Sequence, residues 1–332
     1  MQYFPLILLC GLVSYSARAA PVTGSSPSGR GIVPRDGSTS DAATTQLSAA
    51  QQSSLVRPAQ FSRVAYCSSA AVTSWSCGPP CDDIGKGVEV IQAGGDDGLV
   101  PIITAMCIID FVAHDPIAES IVVAHQGTDP DNILSILNDA QILLKDLNST
   151  RFPSAGDSVK VHDGFQKTFE RTADGVLSGV QKGLAANNVN KVIITGHSLG
   201  AAIAVMDAMM LKQVLGSSVE ITTTVFGLPR GGNEEWANFV DQTLGSSLTH
   251  VTNQDDPVPI LPPRFIGYQH PQGEIHINAV DGNGDATDIV ACPGQENENC
   301  SQGNDILFDH SVANHAGPYI DNISFGGDAC PL

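Results

Sequence analysis

Basic residues are scarce. The 332-residue chain carries 16 Lys and Arg against 35 Asp and Glu, a formal net charge of −19 at pH 7. So negative a surface repels phosphate backbones and anionic headgroups, which argues against nucleic acid and anionic membranes as partners and leaves neutral substrates. Charge of either sign is sparse, at 15% of residues against 42% hydrophobic, enough apolar mass for a sizeable core. Beyond residue 20 no stretch reads as long and apolar enough for a membrane span. No Cys/His set has zinc-ligand spacing and no internal repeat is present. Asp281-Gly282-Asn283-Gly284-Asp285 opens like a calcium loop but lacks the closing Glu of an EF-hand, so it reads as a turn. No metal, no cofactor and no obligate protein partner are expected.

What is present begins with a leader. Phe4 to Val13 is an apolar core and Ala17-Arg18-Ala19 a small-x-small cleavage site, although the first residues lack Lys and Arg. Residues 1–20 are therefore expected to be a secretory signal and the protein to be extracellular, in an oxidising compartment. Of the eight cysteines, Cys10 leaves with the leader, and the seven that remain cannot all pair. Cys77 with Cys81, and Cys292 with Cys300, have spacings that suit local bridges; Cys67 and Cys330 could tie the two ends of the folded region together. Cys107, in the apolar run Ile102–Phe111, reads as a buried inert thiol. Asn148, Asn299 and Asn322 begin glycosylation sequons.

Residues 21–45, rich in Ser, Gly, Thr, Ala and Pro, read as a flexible tail or propeptide, with Arg35 a possible processing point. Residues 46–332 read as one domain. A helix is expected from about Leu47 to Ser69, interrupted at Pro58. Strands are expected at Val88–Gln92, Ile102–Ala113, Ser120–Ala124, Val159–His162, Lys191–Thr195, Glu220–Gly227, Leu248–Thr252 and Glu274–Val280. Helical spacing marks Ile133–Leu147, Phe165–Asn187 and Leu199–Leu215. Strand–helix alternation with short loops argues for an α/β fold, a mostly parallel sheet covered on both faces.

One stretch organises this chain. Val192-Ile193-Ile194-Thr195 is a buried strand pattern, Gly196-His197-Ser198-Leu199-Gly200 a tight turn, and Ile203, Ala204, Met206, Met210 and Leu211 follow at helical spacing. That is the setting of a nucleophile elbow, which exposes a serine hydroxyl on a strained strand-to-helix turn with a helix N-terminus behind it. A serine needs an imidazole to take its proton and an acid to orient the imidazole, and in elbow hydrolases both follow the serine, the acid first. The strand ending at Thr252 leads to Asp255-Asp256-Pro257, and spacing leaves the two aspartates tied. Four histidines follow, at 270, 276, 310 and 315; His276 sits in a strand pattern and reads as structural, and His310 and His315, in the last segment, are the candidate bases.

Five motifs in order resemble the secreted fungal class 3 lipases of the Rhizomucor and Thermomyces kind. They are His125-Gln126-Gly127-Thr128, Val161-His162-Asp163-Gly164-Phe165, the elbow with Ala201-Ala202, Phe226-Gly227-Leu228-Pro229-Arg230-Gly231-Gly232-Asn233, and Asn253–Pro263 with a terminal histidine segment. The resemblance runs from about residue 60 to the C-terminus. It implies an α/β-hydrolase fold with a short helical lid and a triad of Ser198, Asp256 and His315, the last favoured over His310. It also implies oxyanion donors at Leu199 (backbone N–H) and Thr128. Gln126 stands where the family has Arg, and His125 where it has an aromatic residue. His162 and His197 become supporting residues. Asp129–Leu137 becomes the lid, with Ile133, Leu134, Ile136 and Leu137 as its apolar face and without the family's tryptophan; from Ala140 the same helix is expected to face the core.

The expected activity is that of a secreted serine esterase hydrolysing acylglycerols at an oil–water interface. A feruloyl-type or other soluble-ester esterase, or a lid-gated mono- and diacylglycerol lipase, is the alternative; the apolar Ile133–Leu137 argues against the feruloyl type. An idle lipid-binding module would have lost a triad member, and here all are present.

Overall fold

Side chains alternate across the central strands, and the alternation decides what covers each face. The structure, a computed structural model, describes residues 41–94, 110–128, 142–304 and 311–330. The leader, most of the expected tail, Cys107, the expected lid Asp129–Leu137 and His310 lie outside them.

Flanking the elbow are β4 (Ser120–His125), β7 (Lys191–His197) and β8 (Glu220–Phe226). Successive residues of a strand point to opposite faces. Ile121, Val123, Val192 and Ile194 therefore join one core cluster, and Val122, Ala124 and Ile193 another. The first cluster is closed by helices α4 (Asp163–Asn187), α5 (Leu199–Leu215) and α6 (Glu234–Leu244). On the opposite face lie α1 (Ala49–Val64), α2 (Ser69–Thr73) and α3 (Pro79–Ile84), with Phe61, Val64, Val72 and Ile84 buried.

Completing the sheet are β1 (Thr45–Gln46), β2 (Glu89–Gly94), β3 (Asp110–Asp115), β9 (Leu248–Asn253), β10 (Glu274–Val280) and β11 (Ala286–Cys292). Among the described residues its order is β1-β11-β10-β9-β8-β7-β4-β3-β2. The five central strands β4, β7, β8, β9 and β10 run parallel, and antiparallel strands flank them on both sides. At the outer edge, Asn297 and Asn299 donate to the Ala42 carbonyl, so the chain is already tied to the sheet before β1.

Several elements depart from the sequence reading. Pro58 lies inside α1 without ending it: Leu55, Ala59, Phe61 and Ser62 are buried by the sheet, and the Pro58 carbonyl accepts from the Thr195 hydroxyl at 3.1 Å. Packing there outweighs the lost N–H. Leu144–Asp146, expected to end a helix, is instead strand β5, paired with β6 (Lys160–His162) in a small separate ribbon. The helical spacing misled because it joined Leu143, which is 60% exposed, to Leu147, which is buried. Helices α2, α3 and α6 and strand β11 add to the elements expected from the sequence. Contrary to that reading, Leu199–Ser218 is long and apolar enough to cross a membrane, but it is mostly buried as the core helix behind the elbow.

Disulfides join Cys67 to Cys330, Cys77 to Cys81 and Cys292 to Cys300. The first spans 263 residues of chain and ties the C-terminal segment to the end of α1.

Candidate active site

Ser198 stands between β7 and α5 with φ +59° and ψ −127°. A non-glycine residue holds such a conformation only where its surroundings enforce it. Its N–H is fixed by the Phe226 carbonyl at 2.9 Å. A Cβ at Gly200 would fall 2.5 Å from the carbonyl oxygens of His125 and Gln126, so only glycine lets α5 start this close to the end of β4. The Ser198 side chain is fully buried, and its Oγ has no hydrogen-bond partner among the described residues. Leu199 opens α5, where first-turn N–H groups have no intrahelical acceptor and the helix dipole favours negative charge.

His315, in the short helix α7 (Val312–Ala316), directs Nδ1 to Asp256 Oδ2 at 2.8 Å. Both side chains are buried. Asp255 is exposed, so burial separates the two aspartates that spacing left tied. Asp256 Oδ1 accepts the Val258 N–H at 2.8 Å, and Tyr319 Oη donates to Asp256 Oδ2 at 3.4 Å. Burial, then the adjoining Asp256 charge, push the Tyr319 phenol well above its ordinary value, so it stays a donor. Asn253 donates to the carbonyls of Asn314 and Pro318, at 2.8 and 3.1 Å, lashing the acid loop to the histidine segment. His315 Nε2, like Ser198 Oγ, is buried without a partner among the described residues. In unliganded sites the catalytic hydrogen bonds are often long.

His197, beside the serine, turns away from it. Its Nε2 donates to the His315 carbonyl at 2.8 Å, which leaves Nδ1 to accept from Tyr66 Oη at 2.6 Å. Burial, with the neighbouring His315, holds it well below the usual histidine range, so it is a neutral strut. His162 Nδ1 caps the start of α4 by accepting the N–H groups of Gly164 and Phe165, and burial lowers its pKa to about 4. His276 Nδ1 lies 2.8 Å from Thr252 Oγ1.

The segment after β4 brings Thr128, half-buried, to the same corner. A Cβ on Gly127 would sit 2.8 Å from Ser198 Cβ and 2.5 Å from the His197 carbonyl, so this loop packs directly on the elbow. The Asp281–Asp285 stretch is a turn in which Asp281 Oδ1 accepts the N–H groups of Asn283 and Asp285.

Sequence reasoning missed the supports. Arg230 is buried and forms a bidentate pair with Glu296, both bonds 2.8 Å, while donating to the carbonyls of Ile260 and Pro262. Glu296 also accepts the His270 N–H. The loop that carries Asp256 is thereby braced from beneath. Arg230 stands inside the Phe226–Asn233 motif, but its partner lies 66 residues away, where no local pattern marks it. Tyr66, 131 residues from His197, reads in the sequence only as an apolar anchor of the first helix.

Residues 122–266 match the family described as Lipase (class 3). The secreted mono- and diacylglycerol lipase LIP2 of Malassezia restricta is 36% identical over 200 residues, 60% of this chain and 61% of that one. LIP4 of the same organism, also named a secreted mono- and diacylglycerol lipase, is 34% identical over 215 residues, covering 64% of this chain and 68% of that one. The chain belongs to the class 3 lipase family. In the LIP2 match it spans only about six-tenths of that relative. A solved lipase from Rhizopus microsporus var. chinensis superposes with a TM-score of 0.72 at 27% identity, over 86% of this chain and 93% of that one. The α/β-hydrolase fold follows: a large mixed sheet flanked by helices, with the elbow serine at the end of a central strand.

Proposed function

We propose that this class 3 lipase homologue is a secreted serine esterase that hydrolyses the ester bonds of acylglycerols, mono- and diacylglycerols foremost. The observation that carries the reading is the buried Asp256–His315 pair, its imidazole 4.4 Å from the ring of His197, whose chain neighbour Ser198 holds an elbow conformation. The preference for partial glycerides rests on the names of the Malassezia relatives.

In the proposed cycle Ser198 Oγ attacks the ester carbonyl carbon while its proton passes to His315 Nε2. Asp256 holds the imidazole at Nδ1 and stabilises the imidazolium that forms. The tetrahedral oxyanion is met by the Leu199 N–H and by Thr128, donors fixed before the charge develops. Collapse breaks the C–O bond, the alcohol leaves with the proton from His315, and a water activated by the same imidazole releases the fatty acid from Ser198. Asp129–Leu137 is the proposed lid, and residues 1–20 the proposed secretion signal. The net charge of −19 suits neutral rather than anionic interfaces.

Fatty-acid release from emulsified monoolein, diolein and triolein, beside a soluble butyrate ester, tests this. Release from the partial glycerides exceeding that from triolein is expected. Hydrolysis of the butyrate alone would replace the lipase reading with that of a soluble-ester esterase.

A further inference from the structure

Three ionisable side chains are buried together behind the oxyanion corner, and the proposed cycle uses none of them. His125, the last residue of β4, lies across the ladder from Asp110 on β3 and beside Gly196 on β7. It takes the same face as Ile121 and Val123, toward α5, where Asp207 sits two turns past Ser198. His125 Nε2 stands 2.7 Å from Asp207 Oδ2, at ion-pair distance but out of line for a straight hydrogen bond. Both side chains are fully buried and Asp110 nearly so.

Such a cluster is expensive to bury and gives little net stability over an apolar filling of the same volume. A fold that only needed to fill this space could do so with apolar side chains. We propose that the His125–Asp207 pair is a positioning device: it pulls the end of β4 onto the elbow helix and so fixes the height of Gly127 and Thr128 over Ser198. The proposal rests on the triad reading above and names a further residue pair for it. His125 is three residues before Thr128. Its own carbonyl is one of the atoms that press against Gly200, so any shift of the imidazole is passed directly to the loop that supplies the second oxyanion donor. The shared electrostatics agree. Burial alone would strip the proton from His125, but the Asp207 carboxylate at ion-pair distance, with Asp110 beyond, outweighs it and raises its pKa. Arg151 is the other charge that bears on Asp207.

The test compares wild type, Asp207→Asn, and the double variant H125F/D207L, which refills the space with apolar side chains. Each is assayed for kcat and KM on a soluble p-nitrophenyl ester, for inhibition by a phenylboronic acid, which forms a tetrahedral adduct on the serine, and for its melting temperature. Asp207→Asn is expected to lower kcat by roughly 10-fold or more, short of the about 10²-fold that outright loss of an oxyanion donor costs, with KM within about 2-fold and boronate affinity falling in parallel. The double variant is expected to melt at or above the wild-type temperature yet keep the low kcat. Wild-type kcat in the double variant would overturn the proposal, since packing alone would then suffice; so would a loss confined to KM. If Asp207→Asn does not fold, the double variant decides alone. A wild type inactive on the ester and unreactive toward the boronate would instead bring down the triad reading, an outcome distinct from these.

Discussion

Asp256 Oδ2 lies 2.8 Å from His315 Nδ1, and both side chains are shut off from solvent. In the proposed triad Asp256 orients the imidazole and fixes the tautomer that leaves Nε2 to take a proton. Asp256→Asn keeps the shape and removes the charge, so kcat on a soluble ester should drop by about 10³-fold or more with the fold intact. Asp255→Asn, one residue earlier and exposed, should stay near wild type. Steady-state kinetics of the two variants side by side check both.

Thr128 tests the other half of the site. Thr128→Val is nearly isosteric and deletes only the hydroxyl. A loss of about 10²-fold in kcat, with KM little changed, is expected if that hydroxyl meets the oxyanion. An unchanged kcat would leave the backbone alone as donor.

The elbow was the most legible part of the chain, because one local pattern encodes strand, turn and helix: β-branched residues at 192–194, glycines at 196 and 200, helical spacing from 203. The parallel core was legible for the same reason, each strand being a short apolar run between helical stretches. What was hidden is non-local. Asp255 and Asp256 are identical in type and differ only in burial, which depends on α7 docking against the loop after β9. The Arg230–Glu296 brace joins positions 66 apart, and no periodicity marks such a partner. Leu143 to Leu147 misled because apolar side chains on an extended ribbon can fall at helical spacing by chance.

Arg230 and Glu296 should be essential for stability although neither is expected to touch substrate. Glu296→Gln leaves a buried guanidinium uncompensated and should cost on the order of 3–5 kcal/mol, read as a lower urea midpoint. The charge pair also sets an acid limit. Burial acts to raise the Glu296 carboxyl, but Arg230 outweighs it and holds the group at about 2. A depressed carboxylate stabilises the fold above its unfolded pKa, about 4.5, and that contribution fades as pH falls toward 2.

Buried neutral histidines add to this limit from a higher pH. Burial holds His162 at about 4 and His270 at about 3, both from 6.5. The unfolded chain therefore binds protons that the folded one refuses, and stability falls as pH drops below about 6.5. Melting temperature should decline through pH 6 to 3. His162→Gln should shallow the upper part of that decline, as followed by thermal scans across pH.

Among the described residues the Cys67–Cys330 bridge closes the longest disulfide loop, and it anchors the segment that bears His315. Removing it, as Cys67→Ser with Cys330→Ser, should cost about 2–4 kcal/mol of stability. Activity should be lost on warming before the core melts, because α7 is released first; residual esterase activity measured against circular dichroism over one temperature ramp checks the order.

The account turns on Ser198 as a nucleophile made reactive by its buried neighbours. The direct measurement is covalent modification with a fluorophosphonate, followed by mass spectrometry of the labelled peptides, alongside diolein hydrolysis. One adduct on Ser198, lost together with diolein hydrolysis in Ser198→Ala and sharply slowed in His315→Ala, is the predicted result. An unlabelled Ser198 in an active wild type, or a Ser198→Ala variant that still hydrolyses diolein, would contradict it.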